Sequence, residues 1–273
     1  MAERGPAASC LLLVCGLPGC GKSTFCKELV ARGGEESWQG TSRWIHFCYD
    51  EVERTLRTDE SQFDPETWQA ARAKISGDVA ALLDNSDGRI VIVLDDNMYY
   101  RSMRKRWYHL CRDRGCAYHQ VFLQAPLDVC LERNQRRDLV ARVPKFSIEH
   151  MAEAFEWPAR GGTWEAQDAV SLLIDEAETC MQIQCIRDWH SFWKPVPAEE
   201  GPAEEVQSES HQCDVALRKV VTRALAEVPK ELGPLKSTLA KRWGAKKAEL
   251  AAKPRGAPGE CGGVLRALRC SQR

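Results

Sequence analysis

The stretch that most narrows the possible folds is Gly16-Leu17-Pro18-Gly19-Cys20-Gly21-Lys22-Ser23, which fits G-x-x-x-x-G-K-[ST] at every defined position. It follows an apolar run, Cys10–Cys15, that reads as a strand, and it opens Lys22–Arg32, which reads as a helix. In that setting the glycines let the backbone curl so that successive N–H groups point inward, and the helix N-terminus adds its dipole to hold a phosphate. Gly16 through Thr24 therefore form a candidate nucleotide-binding segment. Lys22 is placed to bridge the β- and γ-phosphates of ATP, and Ser23 to ligate Mg²⁺. Cys20 lies among these amides, where a thiolate is favoured, although a tolerated small residue explains it as well.

Beyond the loop, short β-like runs alternate with helical stretches, the pattern of βαβ units and a parallel sheet. The predicted strands are Cys10–Cys15, Trp44–Tyr49, Ile90–Leu94, Ala117–Leu123 and Ala169–Ile174. Asp64-Pro65 opens a helix as N-cap and first residue, with Trp68, Ala71, Ile75, Val79 and Leu82 at helical spacing. Another runs from about Ser102 to Arg114, with Gly115 as its stop. Cys180–Trp193 also reads as helical. The fold class is therefore α/β: a P-loop NTPase-type parallel sheet flanked by helices, with a small basic all-α C-terminal appendage. Its divisions are a nucleotide domain over 1–193, an acidic Pro-rich linker over 194–210, a basic helical appendage over 211–252 and a flexible tail over 253–273.

A phosphate loop does not say what is done with the nucleotide, so the acidic residues at strand ends carry the next step. Ile90–Leu94 delivers Asp95-Asp96-Asn97 to the sheet edge where α/β folds place ligands. One of these aspartates is expected on the metal side; Asp95 is favoured and Asp96 stays open. Trp44–Tyr49 delivers Asp50 to the same edge, where a carboxylate can orient an acceptor hydroxyl and take its proton. A kinase needs that group, whereas a GTPase switch does not. Arg133 and Arg137, four apart, are expected on one helix face and able to clamp the migrating phosphoryl group, with Arg136 pointing elsewhere.

The formal net charge of −1 over 273 residues hides a segregation. From His211 to Arg273, fourteen Lys and Arg face five acids. Arg218, Lys219, Arg223, Lys241, Arg242, Lys246 and Lys247 are the candidate contacts to a polyanion, with no DNA partner expected. Thirteen cysteines without any C-x-x-C pair read as buried thiols in a reducing compartment, the cytoplasm. No apolar run approaches the ~20 residues of a membrane span, and Leu11–Val14 falls short of the ~7–15-residue core of a secretion signal. No membrane partner is expected, and oligomeric state is not readable.

Several of these stretches together resemble the phosphoseryl-tRNA kinase, or L-seryl-tRNA(Sec) kinase, family. The resemblance lies in Cys15–Thr24, in Tyr49-Asp-Glu-Val52 and above all in Leu94-Asp-Asp-Asn-Met-Tyr-Tyr-Arg-Ser-Met-Arg104. It continues through Cys130-Leu-Glu-Arg-Asn-Gln-Arg-Arg137 and, more loosely, Trp157-Pro158, Trp164-Glu165 and Asp214–Val221. It implies a kinase that uses ATP and Mg²⁺ to phosphorylate the serine hydroxyl of seryl-tRNA(Sec), an intermediate step toward selenocysteine. Under it, Asp50 matches the catalytic aspartate, Lys22 and Ser23 the phosphate-loop pair, Asp95 or Asp96 the metal-side acid, and Arg133 with Arg137 the R-x-x-x-R motif. The basic C-terminal helices match the part that grips tRNA. One departure stands out: Glu53 occupies a place where members often carry arginine. The competing readings are an Elongator-associated regulatory P-loop ATPase, a small-molecule P-loop kinase, and a catalytically idle RNA-binding protein.

Overall fold

In the computed structural model the described residues are 7–33, 43–57, 65–85, 88–158, 164–165, 169–173 and 192–197, with single positions 183, 186, 212, 215, 216, 219, 220 and 223. Five strands, β1 (Ser9–Cys15), β2 (Arg43–Cys48), β3 (Ile90–Asp95), β4 (Ala117–Gln124) and β5 (Ala169–Leu173), form one sheet in the order β2-β3-β1-β4-β5. Every pairing is parallel. Strands β1 and β3 are buried along their whole length, as their continuous apolar runs require of strands covered on both faces. The order reverses at β1, between β3 and β4, so the C-terminal ends of β1 and β3 flank the crevice where such sheets take ligands.

The helices are α1 (Lys22–Gly33), α2 (Tyr49–Leu56), α3 (Pro65–Asn85), α4 (Arg101–Arg114), α5 (Leu127–Gln135) and α6 (Lys145–Glu153). Gly115 ends α4 in the left-handed region (φ 67°), donating its N–H to the Arg112 carbonyl, as expected of a glycine stop. The core packs Leu12, Val14, Val91, Val93, Val121 and Leu123 of the sheet against Phe25, Cys26 and Leu29 of α1. Among the described residues, no helix is long and apolar enough to cross a membrane.

Three expectations need correction. The strand expected over Trp44–Tyr49 stops at Cys48, and Asp50 lies in the first turn of α2, where its charge and that of Glu51 suit the helix N-terminus. The helix carrying Arg133 ends at Gln135, so Arg137 is not on its face. Ile183 and Ile186 are helical and buried, but Phe192 and Trp193 stand in a turn. The Asp64 N-cap lies outside the described residues.

The chain divides into two units, Met1–Val143 with Phe155–Glu205, and Pro144–Ala154 with Val206–Arg273. The first holds the sheet. In the second, α6 is described, and positions 212, 215, 216, 219, 220 and 223 are helical. Lys219 and Arg223 are exposed there, while Arg218, Lys241, Arg242, Lys246 and Lys247 lie outside the described residues.

Candidate active site

The turn from β1 into α1 is built by its glycines. Gly19 (φ 85°) and Gly21 (φ 102°) occupy backbone conformations that side chains avoid. At Gly19 a Cβ would also stand 2.3 Å from the Cys130 carbonyl oxygen. Gly19→Ala therefore carries about 1–3 kcal/mol of strain besides the clash. It is expected to lower the melting temperature and weaken nucleotide binding, both measurable on purified protein; wild-type values in both would show that the loop does not need this geometry.

The loop closes around Lys22, whose Nζ donates to the carbonyls of Gly16 (3.0 Å) and Leu17 (2.9 Å) and to Asn97 Oδ1 (3.1 Å). Burial opposes its charge, but Cys20, Asp95, Asp50 and Asp96 outweigh that and hold the ammonium above its ordinary pKa. It is a fixed cation. A cleft of about 270 Å³ opens beside it, lined by Pro18, Gly19, Gly21 and Lys22 to Phe25, by Asp50, by Asp95 to Asn97, and by Arg133, Arg137 and Val143.

Asp95 ends β3 and is almost wholly buried. Burial alone would raise its pKa; the His46 imidazole, the Lys22 charge and the Ser23 hydroxyl reverse the balance and hold the carboxyl below its ordinary value. Asp96 is engaged differently. Its Oδ1 accepts the Asn97 N–H (2.8 Å) and its Oδ2 accepts from Arg72 (2.7 Å), which lies over the rings of Tyr49 and Trp68. Asp50 is exposed overall yet lines the cleft, whose walls partly enclose it. That enclosure, with the charge of Asp96 and then Asp95, raises its pKa against the pull of Lys22 and Arg137.

Although Arg137 lies past the end of α5, it still lines the cleft with Arg133. The reason is Asn134, whose buried amide donates to the Val143 carbonyl (2.7 Å) and accepts the Val143 N–H (3.0 Å), tying residues 136–143 into a closed loop. Arg142 Nε adds a bond to the Arg137 carbonyl (2.8 Å). Arg136 turns away to Glu132 and is largely exposed.

The structure thus gathers Lys22, Ser23, Thr24, Asp50, Asp95, Asp96, Arg133 and Arg137 on one cleft with Pro18, Gly19 and Gly21. Gly16 and Leu17 act through their carbonyls, and Cys20 is buried behind the loop. Three residues were not singled out from sequence: Asn97, which holds Lys22; Arg72, which holds Asp96; and His46, beside Asp95. Only Asn97 had a signal, its place directly after the aspartate pair at a strand end. Trp164 packs on Tyr108, whereas Trp157, tilted against Phe155, keeps 46% of its surface exposed.

Comparison with known proteins follows the same lines. L-seryl-tRNA(Sec) kinase of Mus musculus is 26% identical over 289 residues, covering 82% of this chain and 78% of that protein. The protein of the same name from Homo sapiens is 26% identical over 286 residues, covering 82% and 80%. The resemblance read from the motifs therefore extends over most of both chains. Among solved structures, Chaetomium thermophilum Kti12 in complex with ADP-AlF3 superposes with a TM-score of 0.50 at 20% identity, covering 65% of this chain and 97% of that one, and shares the fold. The family model described as chromatin associated protein KTI12 matches residues 10–231, and with that match over most of its length the chain belongs to this family.

Proposed function

We propose that this chain is an ATP-dependent kinase that phosphorylates the serine hydroxyl of L-seryl-tRNA(Sec) to O-phosphoseryl-tRNA(Sec), an intermediate step in selenocysteine biosynthesis. The observation that carries the reading is the convergence on one cleft of a fixed lysine, a cavity-facing aspartate and two arginines. The names of the curated relatives supply the substrate.

In this reading the loop amides and Lys22 hold the β- and γ-phosphates, while Arg133 and Arg137 face the equatorial oxygens of the migrating group. Asp50, with its raised pKa, orients the serine hydroxyl and accepts its proton late in transfer. Ser23 and Asp95 offer the hard oxygen donors that suit Mg²⁺, and Asp95 keeps the charge for it because its pKa is low. When bound, that ion offsets the charge of the phosphates. Asn97, now on Lys22, releases it to the nucleotide. Lys219 and Arg223, exposed on a helix, belong to the basic segment over 211–252 to which the tRNA body is assigned; remote RNA contacts then position a weak nucleophile. The described cysteines, all buried thiols, suit the reducing cytoplasm.

The test follows labelled γ-phosphate from ATP to seryl-tRNA(Sec), seryl-tRNA(Ser) and free serine. Label on seryl-tRNA(Sec) alone is expected, with tRNA affinity falling steeply as salt rises. A second reading is the Elongator-associated regulatory P-loop ATPase acting with tRNA that the sequence left open; the match to the family described as chromatin associated protein KTI12 is the observation beside it. Hydrolysis without transfer to any of the three acceptors would establish that reading instead.

A further inference from the structure

Behind the cleft, three side chains from three elements converge. Cys26 lies on α1 one turn beyond Lys22 and on the same face, His46 is on β2, and Asp95 ends β3. Cys26 Sγ, His46 Nε2 and an Asp95 carboxylate oxygen all lie within 4.8 Å of one another. Cys26 is fully buried, and Asp95 is 3% exposed. Asp95 Oδ2 and His46 Nε2 are both buried without a hydrogen-bond partner, 3.6 Å apart.

That separation is long for a hydrogen bond between these groups, which prefers about 2.7–2.9 Å when charge-assisted. It is close to what a shared metal ion imposes. With bonds of about 2.0–2.1 Å to nitrogen and oxygen at a tetrahedral angle, two such ligands stand about 3.3 Å apart. Sulfur, at about 2.3 Å from the ion, needs about 3.5 Å to each neighbour, so inward movement of roughly 1 Å by a side chain closes the set. Asp95 also lines the cleft, which gives an ion a way in and leaves a fourth position for water.

We propose that Cys26, His46 and Asp95 form a binding site for a thiophilic divalent cation of the zinc class. Thiolate and imidazole select such ions, while Mg²⁺ keeps to oxygen donors. On binding, the Cys26 thiol loses its proton to solvent and the sulfur lone pair goes to the ion; His46 binds as neutral imidazole through Nε2. No electron transfer is involved. The occupied site withdraws Asp95 from the magnesium position and sets a second cation beside Lys22, so it opposes binding of magnesium and nucleotide. This last consequence rests on the magnesium role proposed above for Asp95; the site itself does not.

The experiment titrates Co²⁺ into the reduced full-length chain without nucleotide or RNA. One equivalent is expected to bind with a thiolate-to-cobalt charge-transfer band and the intense visible bands of four-coordinate cobalt, displaced by Zn²⁺. Cys26→Ala should abolish the charge-transfer band, His46→Gln should weaken affinity by at least about 100-fold, and Cys111→Ala, at a buried thiol outside the cluster, should retain the wild-type spectrum. Should either site variant fold poorly, X-ray absorption at the zinc edge of the loaded wild type decides: one sulfur with nitrogen and oxygen neighbours is expected. Two or more sulfurs, a charge-transfer band that survives in folded Cys26→Ala, or no band in the wild type overturns the site. Zinc loading should also weaken Mg·ATP binding at least tenfold. Unchanged nucleotide affinity with the cobalt site intact would overturn the competition and the magnesium role of Asp95 together.

Discussion

Asp50→Asn is expected to lower phosphoryl transfer by about 10²–10⁴-fold, the usual contribution of a positioned general base, while nucleotide affinity stays near the wild-type value. The geometry separates the two effects. In the proposed reading the loop and Lys22 hold the phosphates, whereas Asp50 lines the same cleft from a different element, α2. Asparagine keeps the size and part of the hydrogen bonding of the side chain but cannot accept the proton. Single-turnover transfer from labelled ATP to seryl-tRNA(Sec), beside a nucleotide titration, measures both.

The variant also carries a stability signature with a determined sign. Enclosure and the neighbouring Asp96 and Asp95 raise the folded-state pKa of Asp50 above 3.8, so the folded chain holds this proton more tightly than the unfolded chain. Ionised Asp50 therefore disfavours folding above that range, and removing its charge relieves repulsion among three carboxylates. At neutral pH, Asp50→Asn should melt no lower than wild type. A variant that lost both activity and stability would point to a structural role, and one that kept full transfer would place the base elsewhere.

The nucleotide half of this site was legible in sequence because it is local. Strand, glycine turn, lysine and helix start lie within one short stretch, and the φ values of Gly19 and Gly21 are what such a turn demands. Asp95 was legible from the apolar run that it ends. The Asp50 side was harder: Trp44–Tyr49 is apolar or aromatic apart from His46, so the pattern alone carries the strand onward, whereas the structure begins α2 at Tyr49. Spacing also placed Arg137 on a helix face, when what positions it is Asn134 reaching across to Val143. Arg72 on Asp96 and His46 beside Asp95 have no sequence signal, since each meets its partner only through the packing of elements far apart in the chain.

The same holds for the residue whose loss should cost most stability. Arg104 was visible only as the end of a family-like motif, yet it is fully buried and holds the loop that follows β3. Its Nε donates to Glu165 Oε1 (2.7 Å), its Nη1 to the Met98 carbonyl (2.7 Å) and its Nη2 to the Glu156 carbonyl (2.5 Å), with the guanidinium carbon 5.1 Å from the centre of the Phe122 ring. Arg101 takes the other oxygen of Glu165. Met98 has a positive φ of 42°, a conformation that persists only where the surroundings fix it, and the Arg104 bond to its carbonyl is one such restraint. Arg104→Met keeps bulk but leaves a buried carboxylate with one partner and two carbonyls without their donor. The expected loss is about 3–5 kcal/mol, a fall in melting temperature of roughly 6–20 °C. Lysine should not rescue it, because a single ammonium cannot reproduce the fork that reaches three acceptors in different directions. The double variant Arg104→Met with Glu165→Gln should recover part of the loss by removing the stranded charge. Since Met98 directly follows Asn97, the single variant should also loosen the hold on Lys22 and weaken nucleotide binding, which a wild-type melting curve or unchanged affinity would refute.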